Sequence, residues 1–171
     1  LNFDLGDDEK VGILSPVYWY GVPVEVMNFA SKVKFNNYKN QYIFCFATYG
    51  GSAGKFSEEL EGLLKENGYK LNGKYGVEMA DNYILGYTPD PVEKQIATNN
   101  EAYKFLKNNL YRIEARENCD FIKRGAMKVL TPLLRPIYLN SNRSAKFYVT
   151  DKCNSCGLCK TNCPCVAIDI I

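Results

Sequence analysis

The chain has 171 residues, room for one medium domain and a small appendix. Hydrophobic residues make up 46% and charged residues 23%, the balance of a globular protein. A formal net charge of +2 carries no nucleic-acid or membrane-surface signal, and no stretch is long and apolar enough to span a bilayer.

The first ten residues are polar and hold the acidic run Asp7-Asp8-Glu9. Residues 11–15, Val-Gly-Ile-Leu-Ser, form a short apolar run that predicts a buried strand. It leads into the aromatic loop Pro16-Val17-Tyr18-Trp19-Tyr20-Gly21. Pro23 suits a helix start, and Val24, Met27, Phe29, Ala30 and Val33 follow at roughly helical spacing. The logic then repeats. Residues 42–48, Tyr-Ile-Phe-Cys-Phe-Ala-Thr, predict a parallel strand covered on both faces. A glycine-rich loop comes next, Tyr49-Gly50-Gly51-Ser52-Ala53-Gly54. Phe56, Leu60, Leu63 and Leu64 mark an amphipathic helix that Asn67-Gly68 stops.

Residues 76–80 predict a third strand, followed by the loop Asp81-Asn82-Tyr83. A long helix is expected from about Pro91 to about Ala115, with Ile96, Tyr103, Leu106, Leu110 and Ile113 on one side. Residues 117–146 give no clear period; Phe121, Met127, Val129, Leu130 and Leu134 are candidates to cover part of the core. The run Asn140-Ser141-Asn142-Arg143-Ser144 reads as a linker. Two domains follow, at 1–140 and 147–171. Phe147-Tyr148-Val149 and Ala167-Ile168-Asp169-Ile170 are expected as short strands on either side of a cysteine motif. Alternating strands and helices predict an α/β fold with a parallel sheet, whose ligands bind at the carboxyl ends of the strands.

The chain has seven Cys and no His, and five of the seven lie between Cys153 and Cys165. A disulfide scaffold would spread its cysteines more evenly. The clustering, with no visible secretory leader, predicts a reducing, cytoplasmic setting and a metal site. Without His, no His-assisted nucleophile and no Cys/His zinc site can form within the chain. Cys153, Cys156, Cys159 and Cys163 follow the pattern C-x2-C-x2-C-x3-C-P, the run of bacterial [4Fe–4S] ferredoxins. Gly157 relieves crowding in the tight loop, and Pro164 is expected to open a helix whose amides face the anionic cluster. Zinc is the main competitor, but zinc modules usually separate two cysteine pairs by a longer span. In two-cluster ferredoxins the fourth Cys serves the other cluster, so Cys163 either closes a single cluster or belongs to a second. Cys165 reads as a bystander or a substitute for Cys163; Cys45 reads as a buried hydrophobe, and Cys119 has no assigned role.

Both loops of the first domain suit a flat aromatic ligand. Tyr18, Trp19, Tyr20 and Tyr49 offer rings for stacking. Gly21, Gly50, Gly51 and Gly54, flanked by Pro16 and Thr48, let backbone amides approach a ring edge. An aromatic core corner and an ordinary strand–helix turn are the alternative. The order of these features resembles the EFR family of flavodoxin–ferredoxin fusion proteins. The resemblance rests on residues 11–23, 48–54 and 79–83, and on Asp151-Lys152-Cys153 leading into the cysteine run. It implies a flavodoxin-like domain binding FMN, followed by a small α+β ferredoxin-like segment with one or two [4Fe–4S] clusters. It further implies that the chain, which starts at Leu1 and not Met, begins about halfway into the flavodoxin domain and continues past its cysteine run.

Three functions follow as expectations. The first is electron transfer between cluster and FMN, with a redox protein as partner. The second is a flavin-dependent reductase fed by its own cluster. The third is a binding module with a redox-silent structural metal. No dedicated acid or base stands out, and no G-x-G-x-x-G nicotinamide fingerprint follows a strand. Lys123, Arg124, Lys128 and Arg135 form either a basic face for an acidic redox partner or a solvated helix surface.

Overall fold

A computed structural model of the chain describes residues 1–81, 88–140, 148–164 and 166–170. The chain divides into two compact units, Leu1–Asn140 and Ser141–Ile171.

The first unit is α/β. Its main sheet is four parallel strands in the order β2-β4-β5-β6: β2 (Lys10–Pro16), β4 (Tyr42–Tyr49), β5 (Leu71–Glu78) and β6 (Cys119–Phe121). A two-stranded parallel pair joins β1 (Asn2–Asp4) to β3 (Lys34–Asn36). The helices are α1 (Val24–Lys32), α2 (Phe56–Glu66), α3 (Val92–Glu114) and α4 (Met127–Leu139). Strand β4 is central because its residues are apolar on both faces. Ile43, Cys45, Ala47 and Tyr49 are buried with Phe56, Leu60 and Leu64 of α2 and with Ala30 of α1. On the opposite face Tyr42, Phe44 and Phe46 form an aromatic row with Tyr75 and Phe121, whose ring α3 meets through Phe105.

Parallel pairing sets the loops side by side. Pro16 pairs with Thr48 and Tyr49 with Glu78, so the segments after β2, β4 and β5 leave the same edge of the sheet on strands ~4.8 Å apart. The expected strands at 11–15 and 42–48 lie inside β2 and β4, and α3 begins after Pro91 as expected. The third strand begins earlier than expected, at Leu71, because Leu71, Gly73 and Tyr75 are buried against β4.

Three expectations change. Ile96, Tyr103 and Leu110 of α3 are exposed, at 55%, 67% and 52%. The helix instead turns Ala102 and Phe105 toward the sheet, since the small residue and the Phe105–Phe121 ring contact set its rotation. Val129 and Leu130 do not cover the core: they point outward from α4 at 80% and 48% exposure. In the second unit, Tyr148, Val149 and residues 167–170 form no strand, and the one helix among its described residues is α5 (Leu158–Thr161), before Cys163 rather than after Pro164. The 141–147 linker, Asn82, Tyr83 and Cys165 lie outside the described residues.

Among the described residues no helix is long and apolar enough to cross a membrane.

Candidate functional site

The carboxyl edge of the first unit's sheet is built from two touching loops. After β2, Val17 N–H donates to Thr48 O at 2.8 Å, which keeps the chain beside β4 for one more residue. Tyr18 and Gly21 then exchange two backbone hydrogen bonds, each 3.1 Å, and close a two-residue turn. Its central residues, Trp19 and Tyr20, have φ of +47° and +62°. Two consecutive left-handed residues match the tightest hairpin turns, which normally use Asn or Gly. For side chains this large the conformation costs about 1–2 kcal/mol per residue. Surrounding contacts must hold it, and such strain clusters at functional sites. Tyr18 and Trp19 are exposed at the turn, at 50% and 40%.

The glycine-rich loop packs against this turn. Lys55 N–H donates to Tyr20 O at 2.8 Å, and Ala53 N–H donates to Lys123 O at 2.9 Å. Gly54 is buried with φ of +56°, directly against Tyr20. Gly50 lies against the Asp81 carboxylate, while Gly51 opens to empty space. Tyr49 turns its ring into the core, where its hydroxyl accepts Lys123 N–H at 3.3 Å and burial pushes the phenol's pKa up. Its backbone, not its ring, therefore faces the site. Ser52 Oγ is buried and has no hydrogen-bond partner among the described residues. An orphaned hydroxyl in a loop is an uncompensated cost that a ligand or an ordered water removes.

These features fit a planar aromatic cofactor such as FMN: exposed rings on one loop, open glycine backbone on the next and an unpaired hydroxyl beside it. The structure brings together Pro16, Tyr18, Trp19, Tyr20, Gly21, Thr48, Gly50, Gly51 and Gly54, all of which the sequence singles out. What the sequence missed is the support. Helix α4 reaches both loops: its Thr131 side chain lies at Gly54, and the Arg135 side chain is only 7% exposed and bonded to the turn.

Each cation singled out for a basic face has a carboxylate partner. Lys123 pairs with Glu78 at 2.8 Å, Arg124 with Glu58 at 2.7 Å and Asp120 at 2.6 Å, Lys128 with Glu58 at 3.2 Å, and Arg135 with Glu59 at 2.9 Å. These four cations sit among carboxylates; Lys123 and Lys128 are solvent-exposed, as a solvated surface requires, while Arg124 is partly buried and Arg135 buried.

The second unit is taken by itself. Cys153, Cys156 and Cys159 are exposed, and Cys163 is half-buried. Ser155, between the first and second thiols, and Gly157, between the second and third, have φ of +56° and +79°, which winds the loop tightly. Cys163 Sγ accepts Ala167 N–H at 3.3 Å. None of the described residues from 148 to 170 is buried, and Tyr148, Val149, Leu158 and Val166 are 63–84% exposed. The donor set of four thiols fits an iron–sulfur cluster. Among the described residues, no three Cys, Asp or Glu side chains are gathered closely enough to hold a metal ion. Metal binding and loop closure are coupled in small metal-binding modules.

A comparison with family models, curated proteins and solved structures returned no match for the chain.

Proposed function

We propose that this protein transfers electrons between an iron–sulfur cluster on Cys153, Cys156, Cys159 and Cys163 and an FMN bound at the loops of residues 16–21 and 48–54. The observation that carries the reading is the cysteine run: four thiols at ferredoxin spacing in a segment whose described residues include no buried one. The parallel sheet with aromatic and glycine-rich loops at its carboxyl edge supports the flavin half and a flavodoxin-like fold. It also supports kinship with the flavodoxin–ferredoxin fusion proteins.

When bound, the cluster exchanges single electrons and the flavin exchanges one or two. The chain's own residues hold and shield these groups. The thiols must be deprotonated to ligate iron, and the Ala167 amide donates to Cys163 Sγ. Tyr18 and Trp19 offer rings that exclude water from one side of the flavin, and Gly51 leaves room for close backbone approach. A ferredoxin-type centre of this kind belongs in a reducing, cytoplasmic environment and works with a redox partner protein.

The test is anaerobic purification of the chain, with iron and acid-labile sulfide measured per mole. A [4Fe–4S] centre gives about four of each and a broad charge-transfer absorbance. Zinc in place of both would sink the reading. FMN titration followed by flavin fluorescence tests the second half, with quenching expected and Trp19→Ala weakening it.

A further inference from the structure

Helix α4 is built inside out. Its apolar residues Val129, Leu133 and Ile137 are exposed at 80%, 73% and 53%, while Thr131 and Arg135 are buried. Arginine is seldom buried unless its charge is paired and its donors are used. Here the guanidinium Nη1 donates to Tyr18 O at 3.1 Å, and Nη2 donates to Val22 O at 2.5 Å. Nη2 also lies 2.9 Å from Glu59 Oε2 and 3.4 Å from Met27 Sδ, and the group sits 4.9 Å above the Tyr138 ring.

Those two carbonyls bracket the strained turn. The Glu59 oxygen that meets Arg135 also accepts Val22 N–H at 2.9 Å. Gly21 leaves the space the pair occupies, because a Cβ there would overlap the Glu59 carboxylate and lie 2.7 Å from Arg135 Cζ. The turn that displays Tyr18 and Trp19 is thus gripped on its far side by one ion pair, reached from two helices distant in sequence. A planar fork spans two carbonyls and a carboxylate at once, whereas a lysine ammonium is a single point of charge.

We propose that Arg135, paired with Glu59, is the positioning residue that holds the 18–21 turn so that Tyr18 and Trp19 form the aromatic wall of the flavin site; this rests on the flavin reading above. The experiment uses the full chain with Arg135→Met, Arg135→Lys and Glu59→Gln, and Leu133→Ala on the outer face of α4 as control. Trp19 is the only tryptophan, so its emission and near-ultraviolet dichroism report the turn without any flavin. FMN affinity and the reduction potential of bound FMN report the wall.

The Arg135→Met variant is expected to keep its far-ultraviolet dichroism, red-shift the Trp19 emission and weaken FMN binding about tenfold, the size of one lost charge-assisted hydrogen bond. Arg135→Lys and Glu59→Gln should fall between it and the wild type, and Leu133→Ala should match the wild type. Trp19 emission and FMN affinity within twofold of wild type in Arg135→Met overturn the proposal. If Arg135→Met fails to fold, the same readouts in Arg135→Lys and Glu59→Gln decide: a shifted Trp19 signal with native dichroism supports it, an unshifted one overturns it. If the wild-type chain takes up no FMN, the flavin reading falls, and Trp19 alone decides whether Arg135 sets the turn.

Discussion

Replacing Gly54 by Ala puts a methyl group where the two loops and helix α4 meet. The backbone there has φ of +56°, and the added Cβ would overlap Tyr20 Cβ and O and lie 2.7 Å from Thr131 Oγ1. Two costs add. Holding an L side chain in the left-handed region costs about 1–2 kcal/mol. Overfilling a packed site costs about 1–3 kcal/mol, and one obstacle here is a backbone oxygen that cannot swing aside. The sum is about 3 kcal/mol. With a urea slope of about 2 kcal/mol/M, the midpoint should fall by roughly 1.5 M. Two neighbouring glycines supply the contrast. A Cβ at Gly51 or Gly62 meets nothing within 4 Å, and neither residue has positive φ. Gly51→Ala should lie within about 0.5 kcal/mol of wild type. Gly62→Ala, inside α2, should raise stability by up to about 1 kcal/mol. Urea melts followed by far-ultraviolet dichroism and by Trp19 emission make the comparison. A Gly54→Ala midpoint equal to that of Gly51→Ala would refute the claim that the loops are locked together at this point.

Two further outcomes are expected. Glu58 is partly buried, which by itself raises its pKa, yet its hydrogen bonds to Arg124, its own backbone amide, Ser57 and Lys128 hold it down to about 2. Its contribution is therefore full above the ordinary value of 4.5 and fades as pH falls from there toward 2; acid melts of Glu58→Gln should lack that segment of the pH dependence, and an unchanged profile refutes the assignment. Burial pushes the Cys45 thiol up to about 12, so iodoacetamide at pH 8 should leave it unlabelled in the folded chain. In the same metal-free sample the exposed Cys153, Cys156 and Cys159 should label readily, as read by peptide mass spectrometry, and equal labelling of Cys45 would contradict its place in the core.

Elements with long, consistent patterns were legible. Strands β2 and β4 carry dense apolar runs, and α3 has a proline start and the length to show a helical period. Short elements were not. Strands β1, β3 and β6 have three residues each, too few for any period, and they exist because neighbouring strands complete their hydrogen bonds. Helix α4 was hidden for another reason. Val129, Leu133 and Ile137 face outward, Thr131 and Arg135 face inward, and Pro132 and Pro136 lie within it. A rule that sends apolar residues to the core reads such a helix backwards. Sequence pattern therefore places Arg135 with the surface cations, although it is the most buried charge at the loops.

By itself the sequence determined the chemistry on offer. Thiol spacing, the lack of histidine and the aromatic and glycine-rich loops are properties of residue type and order, and they need no coordinates to be read. Only the tertiary structure decided which of these groups face the site. Tyr49 turned inward because its ring completes the core, Trp19 and Tyr20 took left-handed backbone in a turn gripped from behind, and Arg135 came from α4 to bind Tyr18 and Val22, 117 and 113 residues away along the chain. The physical reason is that residue chemistry is local, whereas burial and charge pairing depend on which distant segments the fold brings into contact.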